Sequence, residues 1–380
     1  MCVNLCAIGN SIATQHTMNS AAIKLNICFF ITTLTVLASC NGQNHSHTLN
    51  KTAAVVPGIT VSKLSNSIWI VFQATDGKYW FGSNTDGLYS FDGTTIINYA
   101  VKDGLPDNRI RSIQEDKQGN IYISSLGGIS KFDGQTFTTL TAVKENNWQL
   151  QPDDLWFCMP GKNGEKGPYR YDGKTLYQLE FPKHYMAEEY FERFPANAWS
   201  PYEVYSIYKD NRGTMWFGTS NFGICRYDGS SLSWLYEDHL TNIPNGGSFG
   251  IRSMLKDSKE KFWFCNTRYR FNISPDSITN TGKNLVRYTT EKGIESANGT
   301  DHIYFMSIIE DDKGGLWMAT YNQGVWHYDG KKSTRYGLMD GSKVITVFSI
   351  YKDRQGSIWL GTHENGAYRF NGTAFERFTP

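Results

Sequence analysis

An all-β fold, a seven-bladed β-propeller of four-stranded antiparallel blades over residues 59–380, is predicted by three observations on this sequence. The first is a recurring phrase: Asp210-Asn-Arg-Gly-Thr-Met-Trp-Phe-Gly-Thr, then Gly223-Ile-Cys-Arg-Tyr-Asp-Gly229, with near-copies over 311–330 and 353–372 and looser ones over 77–93 and 116–134. The second is its period. One anchor aromatic per unit (Trp80, Tyr122, Trp156, Trp216, Trp263, Trp317, Trp359) gives spacings of 42, 34, 60, 47, 54 and 42 residues, which suit propeller blades rather than helical solenoids. The third is physical: one such sheet cannot bury both apolar faces, whereas sheets stacked radially in a closed ring can.

Each unit reads as four strands. The first is an alternating run rich in β-branched and aromatic residues, such as Val204-Tyr-Ser-Ile-Tyr or Val347-Phe-Ser-Ile-Tyr. Asp-x-x-Gly follows (Asp210 to Gly213, Asp353 to Gly356), a type I turn in which the carboxylate caps local N–H groups and Gly takes positive φ. The second strand holds the anchor, and a variable loop leads to the third. That strand ends in Asp-Gly (Asp92, Asp133, Asp172, Asp228, Asp329) or in Asn371-Gly372, which predicts a type I′ hairpin with φ > 0 at both central positions. The fourth strand is the least regular. Two units are degenerate: the third lacks Asp-x-x-Gly, and the fifth has Glu260 in place of Gly and no Asp-Gly.

The pattern over Ile350 to Phe375 and Ile207 to Asp228 resembles the two-component regulator propeller repeat. The resemblance covers nearly all of the chain after residue 60. It implies a sensor-like, non-catalytic binding module of the kind displayed extracellularly or in the periplasm, signalling through a partner.

Composition excludes several classes. Lys plus Arg is 37 against 36 for Asp plus Glu, so nothing electrostatic argues for nucleic acid. The first 40 residues differ from the rest. From Met18 they read as a secretion signal, with Lys24 ahead of the largely apolar Leu25 to Leu37, too short to span a membrane. Leu37-Ala-Ser-Cys40 resembles the lipobox of bacterial lipoproteins, which implies cleavage before Cys40 and its lipidation, hence a lipid-anchored cell-envelope protein. Residues 41–58 read as a flexible tether, on which His45 and His47 are solvated polar residues. Cys158, Cys225 and Cys265 have no paired spacing; Cys158 and Cys265 sit two residues after an anchor, where sister units have Gly82, Gly218 and Gly361, so small buried side chains are expected there. No cofactor and no metal site is called for.

Strand order places the stereotyped turns on one face of the ring, and the middle loops with the blade-to-blade connections on the other. The second, irregular face is where a binding surface is expected. Its candidate residues are His184, Tyr185, Trp199, Tyr202, Asn221, Arg268, Tyr269, His302, Tyr321, Asn322, His363 and Glu364. The connection at 179–202 is the richest, with rings among Glu188, Glu189, Glu192 and Arg193. It suits a peptide or glycan, or simply packs its rings on the next blade. The expected partners are a protein, peptide or glycan ligand and a membrane signalling partner. The alternative is a carbohydrate-active enzyme, a glycoside hydrolase or lyase, with two of Asp86, Glu189, Asp301 and Glu364 converging. A structural subunit of an envelope complex, the third class, would show an apolar patch on the rim.

Overall fold

The computed structural model describes residues 57–159, 166–195, 200–243, 247–248, 250–267, 269–279, 283, 285–294, 305–321 and 323–380. The leader and tether, with Cys40, His45 and His47, fall outside them. The described chain is all-β apart from short helical turns, and its mainly antiparallel sheets follow one another in sequence order, the fourth and fifth joined by one parallel pairing, Trp234↔Leu285.

The regular unit is clearest in the fourth sheet: Val204–Lys209, Met215–Thr219, Ile224–Tyr227 and Leu232–Leu235, each paired with the next. The first sheet (Ile68–Gln73, Tyr79–Ser83, Leu88–Phe91, Ile96–Tyr99), the second (Ile110–Glu115, Ile121–Ser125, Gly128–Phe132, Phe137–Thr139), the sixth (Ser307–Glu310, Leu316–Ala319, Val325–Tyr328, Ser333–Tyr336) and the last (Val347–Lys352, Ile358–Thr362, Ala367–Phe370, Phe375–Arg377) repeat it.

The acid of Asp-x-x-Gly holds more than its own turn. In five units its Oδ1 accepts two backbone N–H groups, at the second and fourth residues beyond it. Its Oδ2 accepts the anchor indole N–H: Asp210 from Trp216 at 3.0 Å, Asp257 from Trp263 at 2.8 Å, Asp311 from Trp317 at 2.9 Å and Asp353 from Trp359 at 2.8 Å. Tyr122 Oη donates to Asp116 in the same way, at 3.1 Å. In the first sheet Ala74 stands where the acid would be. The turn keeps its backbone bonds there, but Trp80 Nε1 has no partner.

Three anchors carry a cation of their own sheet over the ring, and six meet a ring of the next sheet. The third-strand residue opposite each of the three is Arg226, Arg369 or Lys131, whose charge lies 5.9, 5.3 and 5.9 Å from the ring centres of Trp216, Trp359 and Tyr122. On the other side Trp80 meets Phe132, Tyr122 meets Tyr171, Trp156 meets Phe217, Trp216 meets Phe262 and Trp317 meets Phe370. The series closes with Trp359 against Tyr79, ring centres 4.9 Å apart. Tyr79 Oη also donates to Asp353 at 2.7 Å, and Gln73 N to Tyr351 Oη at 3.0 Å. The last sheet takes all its strands from the C-terminal end. Closure is therefore by packing of last on first, while Ile59–Val61 adds outside the first sheet, antiparallel to Ile96–Tyr99.

Close approach explains the small residues two places after the anchor. A Cβ on Gly218 would lie 2.5 Å from Ile251 O, and one on Gly361 2.4 Å from Trp69 O, both on the following sheet's first strand or beside it. Cys158, Cys225 and Cys265 are buried and free.

Three sequence expectations need correction. The Asp-Gly hairpins are not type I′: only Gly has positive φ, and the loop between paired residues is four long (Phe91↔Ile96, Tyr227↔Leu232, Phe370↔Phe375). Asp92, for example, holds that loop open by accepting Thr94 and Thr95 N–H on one oxygen. The fifth unit keeps its turn despite Glu260, which takes φ 64°, a conformation that costs an L-residue about 1–2 kcal/mol. The third sheet departs from the blade pattern. Leu155–Phe157 is its channel-side strand, followed by Tyr169–Tyr171 and Leu176–Gln178, and Ala142–Lys144 joins outside, parallel rather than antiparallel. Its buried edge is capped by Gln114 Nε2 donating to Trp156 O at 2.7 Å.

Candidate functional site

The two faces separate as strand order requires. Middle loops bond to the connections that enter first strands: Asn84 N to Ser67 O, Leu126 N to Arg109 O, Ser220 N to Glu203 O and His363 N to Thr346 O. They also reach the neighbouring sheet's connection, as Gly87 N does to Asn108 O at 2.9 Å. The stereotyped turns are left to the opposite face.

Exposed large apolar side chains fall almost wholly on the irregular face. Val101 (52% exposed), Tyr185, Phe191, Phe194, Tyr321 and Met339 (53%) lie in middle loops or connections, and Tyr269 opens the third strand of the fifth unit, next to its middle loop. The other two, Ile59 and Val143, are on the strands added outside the first and third sheets. Among the described residues no such side chain lies in an Asp-x-x-Gly or Asp-Gly turn.

The connection at 179–202 divides its rings. Helix α1 (Ala187–Arg193) has Glu188 and Glu189 in its first turn and Arg193 in its last, as its dipole favours. His184 is fully buried: it stacks on Phe222 (centres 4.5 Å apart) and stands edge-on to Trp234. Tyr202 and Tyr190 also pack on Phe222. That half follows the bland expectation of packing on the neighbouring sheet. Tyr185, Phe191 and Phe194 remain outside. His184 Nδ1 accepts the Met186 N–H at 3.2 Å and Nε2 has no hydrogen-bond partner, so the ring is neutral, and burial pulls its pKa down to about 3. Beside α1 a cavity of about 690 Å³ has Tyr202 and Phe181 in its wall.

A second cluster sits at the irregular end of the channel wall. Trp69, Arg111, Tyr205 and Phe348 each occupy a register shift near the start of a first strand. Trp69 lies flat on Phe348 (4.1 Å, 7°), with the Arg111 guanidinium over its ring at 4.9 Å, and His363 packs on both indole and phenyl rings. Arg252 likewise covers Tyr205, at 4.6 Å. Sequence reasoning named only His363 here. The missed signal is a ring or Arg directly after the first apolar residue of the first strand, as in Ile68-Trp-Ile and Ile110-Arg-Ser.

The remaining candidates spread around the face. Asn221 N donates to Pro201 O at 3.2 Å, Tyr269 and Tyr321 are exposed, and Glu364 pairs with Lys343 at 2.7 Å, which holds its carboxyl below the usual range. Trp199, Arg268, His302 and Asn322 lie outside the described residues. Of the carboxylates considered for glycoside chemistry, Asp86 is tied to Ser65 and Thr85 on the first sheet, Glu189 belongs to α1 and Glu364 to the last sheet. Asp301 is outside the described residues. Among the described residues no group of three His, Cys, Asp or Glu could hold a metal, and no helix is long and apolar enough to cross a membrane.

Radially stacked antiparallel sheets, closed last on first, define a β-propeller. The family model described as two component regulator propeller matches residues 104–127, 199–221, 299–322 and 341–364, so the chain carries that repeat. The units it passes over are the first, third and fifth, where Ala74, an irregular sheet and Glu260 replace the motif. No curated protein is significantly similar to the chain. Among solved structures, the extracellular domain of a putative hybrid two component system from B. thetaiotaomicron is 20% identical, over 82% of this chain and 39% of that one, with TM-score 0.52. A second such domain from that organism is 17% identical over 85% and 42%, with TM-score 0.54. Virginiamycin B lyase from Staphylococcus aureus is 14% identical over 82% and 97%, with TM-score 0.56. The chain spans about two fifths of the two-component domains it matches. These likenesses concern the fold.

Proposed function

We propose that this chain is a non-catalytic, sensor-like propeller of the bacterial cell envelope, a ring of seven units that binds its ligand on the irregular face. The observation that carries the reading is the segregation of exposed apolar side chains onto that face, away from the turn face. Rings held on loops above a rigid scaffold are the usual material of a binding surface. The repeat family and the two-component domains of similar fold support a sensing role. A bound ligand would be reported through a separate membrane partner, and Cys40 would anchor the ring by lipid. The ligand class is a protein, peptide or glycan.

The test is a glycan and peptide array probed with the purified chain. Tyr269→Ser/Tyr321→Ser is expected to weaken the ligand so found at least tenfold. Lys117→Ser/Lys331→Ser, on the turn face, should leave it unchanged, and the ligand should be recovered with its mass unaltered. Loss on the turn face alone, or a cleaved ligand, would contradict the reading.

A further inference from the structure

The cavity of about 690 Å³ beside helix α1 is of a size that takes a small ligand or part of a peptide. Its apolar wall is Phe181, Ala187 and Tyr202, all buried in the protein, with the half-exposed Phe191 at the entrance. Charged groups edge it: Lys166 and Lys183 against Glu180, Glu188 and Glu192. They are not equivalent. Lys183 is neutralised by Glu188, with Nζ 2.5 Å from Oε1. Among the described residues, Glu180, Glu192 and Lys166 have no ion-pair partner. Among the described lining residues the entrance therefore carries one surplus negative charge above an apolar floor. A purely apolar ligand would desolvate those carboxylates without recompense, and an anion would be repelled.

We propose that this cavity binds a peptide segment in which an aromatic or branched aliphatic side chain is flanked by a lysine or arginine. The apolar side chain rests on Phe181 and Tyr202, the base meets Glu180 and Glu192, and Lys166 is left for a peptide carbonyl. The assignment deepens the irregular-face reading and rests on it.

Fluorescein-labelled, amidated hexapeptides with a central Phe-Arg or Leu-Lys pair, and counterparts with Gln in place of the base, test it by anisotropy against the purified chain. The basic peptides should bind at least tenfold tighter than the Gln peptides, and the gap should narrow at high salt. Glu180→Gln/Glu192→Gln, both exposed positions, should abolish the discrimination with no change in melting temperature. Ala187→Leu, which fills the floor, should remove binding of both series. Equal affinity for basic and Gln peptides, or no binding by any, overturns the peptide assignment while leaving the face open to other ligands. Discrimination that survives Glu180→Gln/Glu192→Gln but is lost in Tyr269→Ser/Tyr321→Ser moves the site elsewhere on the same face. Binding untouched by every variant on this face removes both readings.

Discussion

Trp359→Ala is expected to lower unfolding stability by about 3–5 kcal/mol, the usual cost of emptying a large buried aromatic site. The side chain is 1% exposed and sits at the joint between last and first sheets, against Tyr79, Phe81 and Phe378. Its loss removes apolar contact and also leaves Asp353 Oδ2 without the indole donor it holds at 2.8 Å. Trp80→Ala is the internal comparison. That indole is equally buried and packs on Phe132, but Ala74 gives it no acceptor. Trp80→Ala should therefore cost less, by roughly the 1 kcal/mol of one net hydrogen bond or somewhat more where the acceptor is charged. Urea denaturation of both variants measures the difference. Equal losses would mean that the Asp–Trp bond adds nothing to stability, and an unchanged Trp359→Ala would remove the anchor from the account of how the ring closes.

The same pair of sites shows what the sequence could and could not reveal. Asp353, Gly356 and Trp359 announce a turn and an anchor because both are local, fixed by a few consecutive residues. The bond across them was not legible, since Asp-x-x-Gly already explains its acid as a turn former. Glu260 in a Gly position marked a degenerate unit, yet the turn persists because Asp257 still supplies both the turn bonds and the indole acceptor. The division into a regular and an irregular face followed from strand order alone. The side chains on the irregular face did not sort themselves so readily. His184 and Tyr185 are neighbours of similar promise in sequence, but one is buried against Phe222 and the other is 38% exposed. That outcome depends on a loop packing on a sheet dozens of residues away. The stack of Phe348, Trp69 and Arg111 joins three sheets, so no single repeat could signal it.

The burial of His184 has a consequence for acid stability. Its imidazole titrates near 6.5 when exposed, and in the folded chain its pKa lies at about 3 because the charged form would lose its water. Above pH 6.5 both states are neutral at this site and it contributes no pH dependence. As pH falls below 6.5 the unfolded chain binds a proton that the folded chain refuses until about pH 3, so stability is lost across that window. The loss is about 1.4 kcal/mol per pH unit, and integrates to about 3 kcal/mol between pH 7 and pH 4. The titratable side chains that face it are Tyr185 and Tyr236, by ring contact, and Tyr202, whose Oη accepts the His184 backbone N–H. His184→Phe keeps a flat ring against Phe222 and Trp234 and removes the titration. At pH 7 it should be about 1 kcal/mol less stable, since the Met186 N–H loses its 3.2 Å acceptor. Near pH 4 it should be the more stable protein, by about 2 kcal/mol, on the same linkage. Urea midpoints at pH 7 and pH 4 decide the matter by difference, because carboxylate titrations common to both proteins cancel. Parallel loss of stability in the two would place the acid-sensitive group elsewhere and imply that His184 can reach water in the folded state.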